Sequence, residues 1–413
     1  MSFPTALSGL NAAATDLQVI GNNIANASTT GFKESRAEFA SIYATTGLFT
    51  GNGSDAGSGV RVANIGQQFG QGQVNFTENS LDLAIRGSGF FRLSDDGAIS
   101  YSRAGAFGVD RSGYVVNSQG QRLTGYAADA TGQITGGLGD LQLSTADVAP
   151  RQTTAMGMQA NLDSRVTPLV SADFDPADAS SYHKATSLTL YDSLGNPRQA
   201  SLYFVGTGPG AWDMYLTVDG ALVDADPDTT IGAGGNARSI TFDGAGQLTS
   251  PATLATDLIP GLGGSLPFAT DIDLTGFTQY GSNFSFNSIK QDGYGSGRLA
   301  NVDIGDTGVV SARYSNGQTL VLGQVALANF ANPQGLQQLG DTSWAETFDS
   351  GPALVGAPGT GSLGMVQSGA LEGANVDLTE QLVAMITAQR NYQANAQVIS
   401  TNDAITQTVI NIR

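Results

Sequence analysis

The stretch ALSGLNAAATDLQVIGNNIANASTTGFK, residues 6–33, decides the architecture. Leu7, Leu10, Ala14, Leu17, Ile20 and Ile24 recur at three- and four-residue spacings, which places them on one face of an α-helix over residues 1–27. The Asn-Asn-Ile-Ala-Asn run, Asn22, Asn23, Ile24, Ala25 and Asn26, then stops the apolar pattern. Asn and Gly tolerate the left-handed conformation that ends helices, and free amides can bond neighbouring backbone. On pattern alone the run is a helix C-cap followed by a turn.

The opposite end of the chain repeats the theme at greater length. In GALEGANVDLTEQLVAMITAQRNYQANAQVISTND, residues 369–403, and the ten residues after it, Leu378, Leu382, Met385, Gln389, Tyr392, Ala396, Ile399, Asp403, Thr406 and Ile410 follow a 4-3 alternation. The helix should begin near Asp377 and Thr379. A second stripe, Val398, Ile405, Val409 and Ile412, lies on another face. This helix therefore carries more apolar surface than one partner helix can cover. From Thr379 onward it would extend on the order of 50 Å, too far to pack wholly on one compact domain.

Between the helical ends the pattern is β-like. Leu81, Leu83 and Ile85 alternate with other residues, as do Trp212, Met214, Leu216 and Val218. Asn316-Gly317, between Ala312-Arg313-Tyr314 and Thr319-Leu320-Val321, predicts a hairpin with a type I′ turn. Gly- and Ser-rich residues 47–59 read as a flexible connection, and a similar composition recurs from Gly351 to Gly364. Residues 149–288 hold 14 Asp, no Glu and five basic residues, a formal balance of -9. A third of the chain thus carries half its charge, and the expectation is a separate, solvent-facing domain inserted into another.

Composition narrows the function. At about 100 to 200 residues per domain, the 413 residues imply two or three domains. Charged residues make up 13% of the chain, against roughly 25% in ordinary globular proteins. With 55 Gly, this describes a neutral, turn-rich surface suited to self-association. A net charge of -18 argues against a phosphate backbone as partner. The absence of Cys removes disulfides, thiolate metal sites and thiol catalysis. The first basic residue is Lys33, so a Sec signal peptide is not expected, and no run of about 18 apolar residues suggests membrane insertion.

Candidate chemistry is sparse. His183, the only His, has no ligand-spaced companion and reads as a surface or turn residue. Gly293-Tyr294-Gly295-Ser296-Gly297 resembles a phosphate loop but precedes no helical pattern, so it reads as a turn or bulge. Asp224, Asp226 and Asp228 begin like a calcium loop, yet Thr229 replaces the expected Gly and Gly235 stands where the bidentate Glu belongs. Among the many Asp, nothing selects a carboxylate pair for glycoside hydrolysis. No catalytic, cofactor or metal site is therefore expected.

The quoted ends resemble those shared by the rod and hook axial proteins of the bacterial flagellum. The resemblance rests on Asn22 to Asn26 at one end, and on Asn375-Val376-Asp377 with Gln389-Arg390-Asn391-Tyr392 at the other. LDLAIRGSGFF (residues 81–91), YDSLGNPR (191–198) and FANPQGLQQLGDTSW (330–344) narrow it to the hook-forming members, while residues 220–275 match no pattern. The resemblance implies a mainly β, mixed fold in layers. A coiled-coil inner domain would be formed by residues 1–30 and 372–413, with connecting segments at 31–70 and 360–371. A discontinuous β middle domain would take residues 71–148 and 289–359, and residues 149–288 would form the outer β domain. It further implies a homopolymeric, non-enzymatic tube that acts as a universal joint. Implied partners are the flagellar rod, the hook cap, the hook–filament junction proteins and the type III export apparatus. Leu7, Leu10, Leu17, Ile20, Ile24, Leu378, Leu382, Met385, Tyr392, Ile399 and Ile410 are the expected polymerisation residues, with Ile399 exposed in the isolated subunit. The alternatives are a distal rod protein, a secreted β-rich adhesin and a glycan-cleaving enzyme.

Overall fold

A computed structural model of the chain describes residues 3–42, 59–129, 131–144, 146–223, 237–250, 252–256 and 258–411. The fold is mainly β with one long helix near each end, as expected. Two compact units divide it: residues 1–145, 301–313 and 319–413 form the first, and residues 146–300 with 314–318 form the second. Among the described residues no helix is long and apolar enough to cross a membrane. The Asp224–Asp228 segment, with Thr229 and Gly235, lies outside the described residues, as does most of the stretch 47–59.

In the first unit, helix α1 (Phe3–Ala25) leads into strand β1 (Ser35–Ser41), which pairs antiparallel with β2 (Val60–Gln67). Strands β3 (Val74–Phe76) and β4 (Leu83–Arg86) pair with Ala370–Glu372 and Met365–Ser368 respectively. The chain just before the last helix is thereby stitched to the chain just after β2. In β4, Leu83, Ala84 and Ile85 are all fully buried, so that strand is covered on both faces rather than on one. Strand β5 (Phe90–Asp95) is central to the main sheet, pairing with β6 (Ala98–Ser102), Arg122–Ala128 and Leu327–Asn329. Its alternate side chains enter two cores. Phe91 and Leu93 join Leu83, Ile85, Leu123, Val325 and Val366. Phe90 joins Tyr101, Phe330 and Trp344, in edge-on ring contacts with centroids 4.8 to 5.9 Å apart.

The 316–317 turn differs from the sequence expectation. Gly317 has φ +81°, but Asn316 keeps a negative φ, so the turn is not type I′. Gly317 N–H donates to Tyr314 O, and Tyr314 N–H donates to Gln318 O. This is a type I turn followed by a left-handed Gly, the three-residue hairpin loop. One extra loop residue lets Asn316 stay right-handed and leaves the positive φ to the glycine.

In the second unit, Lys184–Tyr191, Pro197–Gly208, Ala211–Val218 and Ala221–Val223 form an antiparallel meander, joined by Ala237–Thr241. A second sheet orders Thr253–Ala255, Asp271–Tyr280, Ala155–Asp163 and Ser285–Gln291. Its Ala155–Asp163 and Asp271–Tyr280 strands run parallel. Met156, Met158 and Phe277 from this sheet meet Leu202, Phe204, Trp212 and Leu216 from the first in one core. The Gly293–Gly297 segment is an irregular stretch in which Tyr294 pairs with Arg151, and a strand follows it. No helix N-terminus is present there to hold a phosphate.

Candidate assembly surface

The C-terminal helix α2 spans Leu378–Asn411. Asp377 caps it, its carboxylate accepting from Thr379 N at 2.8 Å and Glu380 N at 3.2 Å. At 34 residues it is about 50 Å long. It packs antiparallel on α1, since Gly9 lies against Asn395 while Asn23 reaches Gln381. The seam on α2 runs along Gln381, Ala388 and Asn395, a heptad column in which Ala388 is almost fully buried. Its residues are small or amide-bearing. A side chain at Gly9 would come within 2.7 Å of Asn395 Oδ1, so the Asn395 amide occupies the space that the glycine leaves open.

The residues expected from the 4-3 stripe fall mostly beside this seam. Leu378, Leu382, Tyr392 and Ile410 are exposed, whereas Met385 is half-buried. On α1, Leu7 is exposed, Leu10, Leu17 and Ile24 are half-buried, and Ile20 is buried. Ile399 is half-buried in the single chain rather than exposed, which corrects the expectation for that residue. It lies within about 40° of the Ala388–Asn395 direction around the helix, so α1 shields it. Val398 is half-buried and Ile405 exposed, while the side chains of Val409 and Ile412 lie outside the description. Val383 and Ile386, not singled out by the 4-3 count, are 60% and 51% exposed. Leu378, Leu382 and Ile386 stand at i, i+4 and i+8 and form one uncovered apolar row.

The asparagine run divides its labour. Asn22 and Asn26 close the last turn of α1, Asn26 N and Nδ2 both donating to Asn22 O. Ala25 is exposed. Asn23 is buried and clamps the next strand: its Nδ2 donates to Ser35 O at 2.8 Å and its Oδ1 accepts from Ser35 N at 3.0 Å. The same Nδ2 reaches Gln381 Oε1 on α2, and Gln381 Nε2 donates to Glu34 Oε1 at 2.9 Å. Asn375 adds a second clamp, accepting from Glu34 N and donating to Gln68 O.

Beneath the helices lies a buried ionic cluster that the sequence reading did not identify. Glu372 Oε1 accepts from Lys33 Nζ at 2.6 Å and Gly72 N at 2.9 Å, and Oε2 accepts from Arg103 Nη1 at 2.9 Å. Lys33 and Glu372 side chains are fully buried. Burial pushes the Lys33 ammonium below its ordinary value, with Glu372 opposing that shift. The sequence signal was a single charge inside each of three otherwise uncharged motifs, TTGFK, YSRAG and GALEG.

Gly31, with φ +71°, forms the turn into this cluster. A Cβ there would lie 2.4 Å from Ala104 N and 2.7 Å from the Arg103 carbonyl carbon. Gly31→Ala is expected to destabilise the chain by about 2 to 5 kcal/mol, from left-handed strain plus overpacking. The urea midpoint of the first unit should fall accordingly, and an unchanged midpoint would refute the strain.

Elsewhere the chemistry is structural. A cleft of about 510 Å³ beside Asn22, Asn26 and Thr29 is walled by amides and hydroxyls, with Asp341 its one carboxyl. His183 accepts from Gly206 N at Nδ1 and bonds Thr167 O through Nε2, so both ring nitrogens brace its own unit. No group of three or more metal-ligating side chains occurs among the described residues.

Four family models match in chain order: "Flagella basal body rod protein" at residues 3–33, "Flagellar hook protein FlgE/F/G D1 domain" at 84–154, "Flagellar basal body protein FlaE D2 domain" at 161–294, and "Flagellar basal body rod FlgEFG protein C-terminal" at 367–412. The chain is 43% identical to the flagellar hook protein FlgE of Escherichia coli K12 over 421 residues, covering 100% of both. It is 33% identical to that of Borreliella burgdorferi, covering 100% of this chain and 99% of the relative. In structure it resembles the Helicobacter pylori flagellar hook protein FlgE2, with a TM-score of 0.53 at 14% identity, over 72% of this chain and 100% of that one. Terminal helices that pair and still leave an apolar row open agree with these full-length matches: the chain belongs to the flagellar hook protein FlgE family of structural, non-enzymatic subunits.

Proposed function

We propose that the subunit polymerises into the tube of the flagellar hook, outside the cell, through the apolar sides of α1 and α2 that their mutual seam leaves open. The observation that carries this reading is the row Leu378, Leu382 and Ile386, with Val383 beside it and Tyr392 further along, all exposed on a helix whose contact with α1 is already made. Exposing so much apolar side chain is costly in water and is relieved when other copies cover it. Leu7, Leu10, Leu17 and Ile24 of α1, with Leu378, Leu382, Met385, Tyr392, Ile399 and Ile410 of α2, are the polymerisation residues on this reading, while Ile20 is already buried within the subunit.

The near-neutral β surfaces then serve contacts that slide as the tube bends, since few fixed ion pairs would lock one register. Rod, hook cap, hook–filament junction and type III export apparatus are the partners such a subunit would meet. Electron microscopy of the concentrated full-length chain tests the reading. Tubes are expected above a critical concentration, and a solution of monomers at every concentration would overturn it.

A further inference from the structure

The Glu372 cluster holds two cations against one anion, and the two cations are not held alike. Arg103 is anchored by its own surroundings: Nη2 donates to Gly87 O at 2.7 Å and its guanidinium lies 5.5 Å from the Phe90 ring centroid. Paired with Glu372 alone it is electrically balanced. Lys33 has only Gly70 O, at 2.7 Å, besides Glu372. Without Glu372 its ammonium would enter a closed space already occupied by Arg103, with no counter-charge. Glu372 also receives the backbone of the α1 exit, Gly31 N donating to Glu372 O at 2.7 Å.

We propose that this cluster is an ordering latch: the Ala370–Glu372 strand docks on the β scaffold independently of the amino-terminal segment, whereas the Lys33 segment docks only after Glu372 is in place. The two ends are coupled reciprocally in free energy, but substitutions within the cluster are not equivalent. Breaking a buried pair by removing one partner is costly because a charge is left stranded, while removing the surplus charge leaves a balanced pair. Glu372→Gln strands two cations; Lys33→Met strands nothing. Lys33 is 339 positions from Glu372 in the chain, so the dependence is not a matter of local chain connectivity.

Hydrogen exchange on the full-length chain, as unpolymerised subunit, reads both directions. In Glu372→Gln, amides of residues 31–41 should exchange at least about 100-fold faster than in the unaltered chain. In Lys33→Met, amides of residues 365–372 should keep their protection, and the midpoint of unfolding should stay level or rise. Should Glu372→Gln fail to fold, the double variant Lys33→Met/Glu372→Gln decides: it restores the wild-type charge of the cluster and should fold. Equal loss of protection at 365–372 in Lys33→Met would overturn the order. So would undiminished protection of residues 31–41 in a folded Glu372→Gln, or a double variant no more stable than Glu372→Gln alone.

Discussion

Leu382→Asp combined with Ile386→Asp is expected to abolish tube formation while the subunit keeps a native far-ultraviolet circular dichroism spectrum. Both side chains are 51% exposed in the single chain, so a carboxylate at either position costs the monomer little. Buried against other helices, each position would lose about 1.5 to 3 kcal/mol of apolar transfer and carry several more for a desolvated, unpaired charge. A polymer repeats the defect at every subunit, so the critical concentration should rise beyond reach. Light scattering and electron microscopy read the outcome, and tubes of normal appearance would show that this row faces water in the polymer. Ile399→Asp is less discriminating, because the partial burial of Ile399 within the subunit mixes folding with assembly.

Phe204→Ala should separate the two units in a different way. Phe204 is fully buried at the centre of the second unit's core, with Phe277, Phe284 and Phe286 rings 5.7 to 6.2 Å away. Truncating it removes a large side chain and opens a cavity among rigid rings that cannot collapse to fill it. The expected loss is about 3 to 5 kcal/mol. Because the two units have separate cores, differential scanning calorimetry should show one transition moved down and the other unmoved. A single transition that shifts as a whole would mean that the units unfold together. Tubes should still form at temperatures below the lowered transition, since none of the α1 or α2 apolar side chains is altered.

The helices were legible because apolar spacing has a period, and Asp377 before Leu378 marks a start that the hydrogen bonds bear out. The seam between them was not. It is built from Gly9, Gln381, Ala388 and Asn395, which a search for large apolar residues passes over. Consequently the 4-3 stripe of α2 picked out mostly side chains beside the seam, and missed Val383 and Ile386. The Lys33–Glu372–Arg103 cluster was illegible for another reason. Its members are single charges separated by as many as 339 positions, and one sequence contains nothing that pairs them. At residues 316–317 the dipeptide marked the turn correctly but not its type, because the count of paired residues, Arg313 against Thr319, decides between a two-residue and a three-residue loop.

The chain has two tryptophans, and the fold assigns one to each unit: Trp344 packs among Phe69, Phe90 and Phe330 in the first, and Trp212 lies in the core of the second. Both are about 1% exposed. Each unit therefore carries its own fluorophore, shielded from solvent quenchers while that unit is intact. Replacing Trp212 by Phe would leave emission from the first unit alone, and replacing Trp344 would leave emission from the second. Because the apolar row of α2 contains no indole, joining copies along it would leave both emission maxima where they are, so the optical signal of this subunit tracks folding and is blind to assembly.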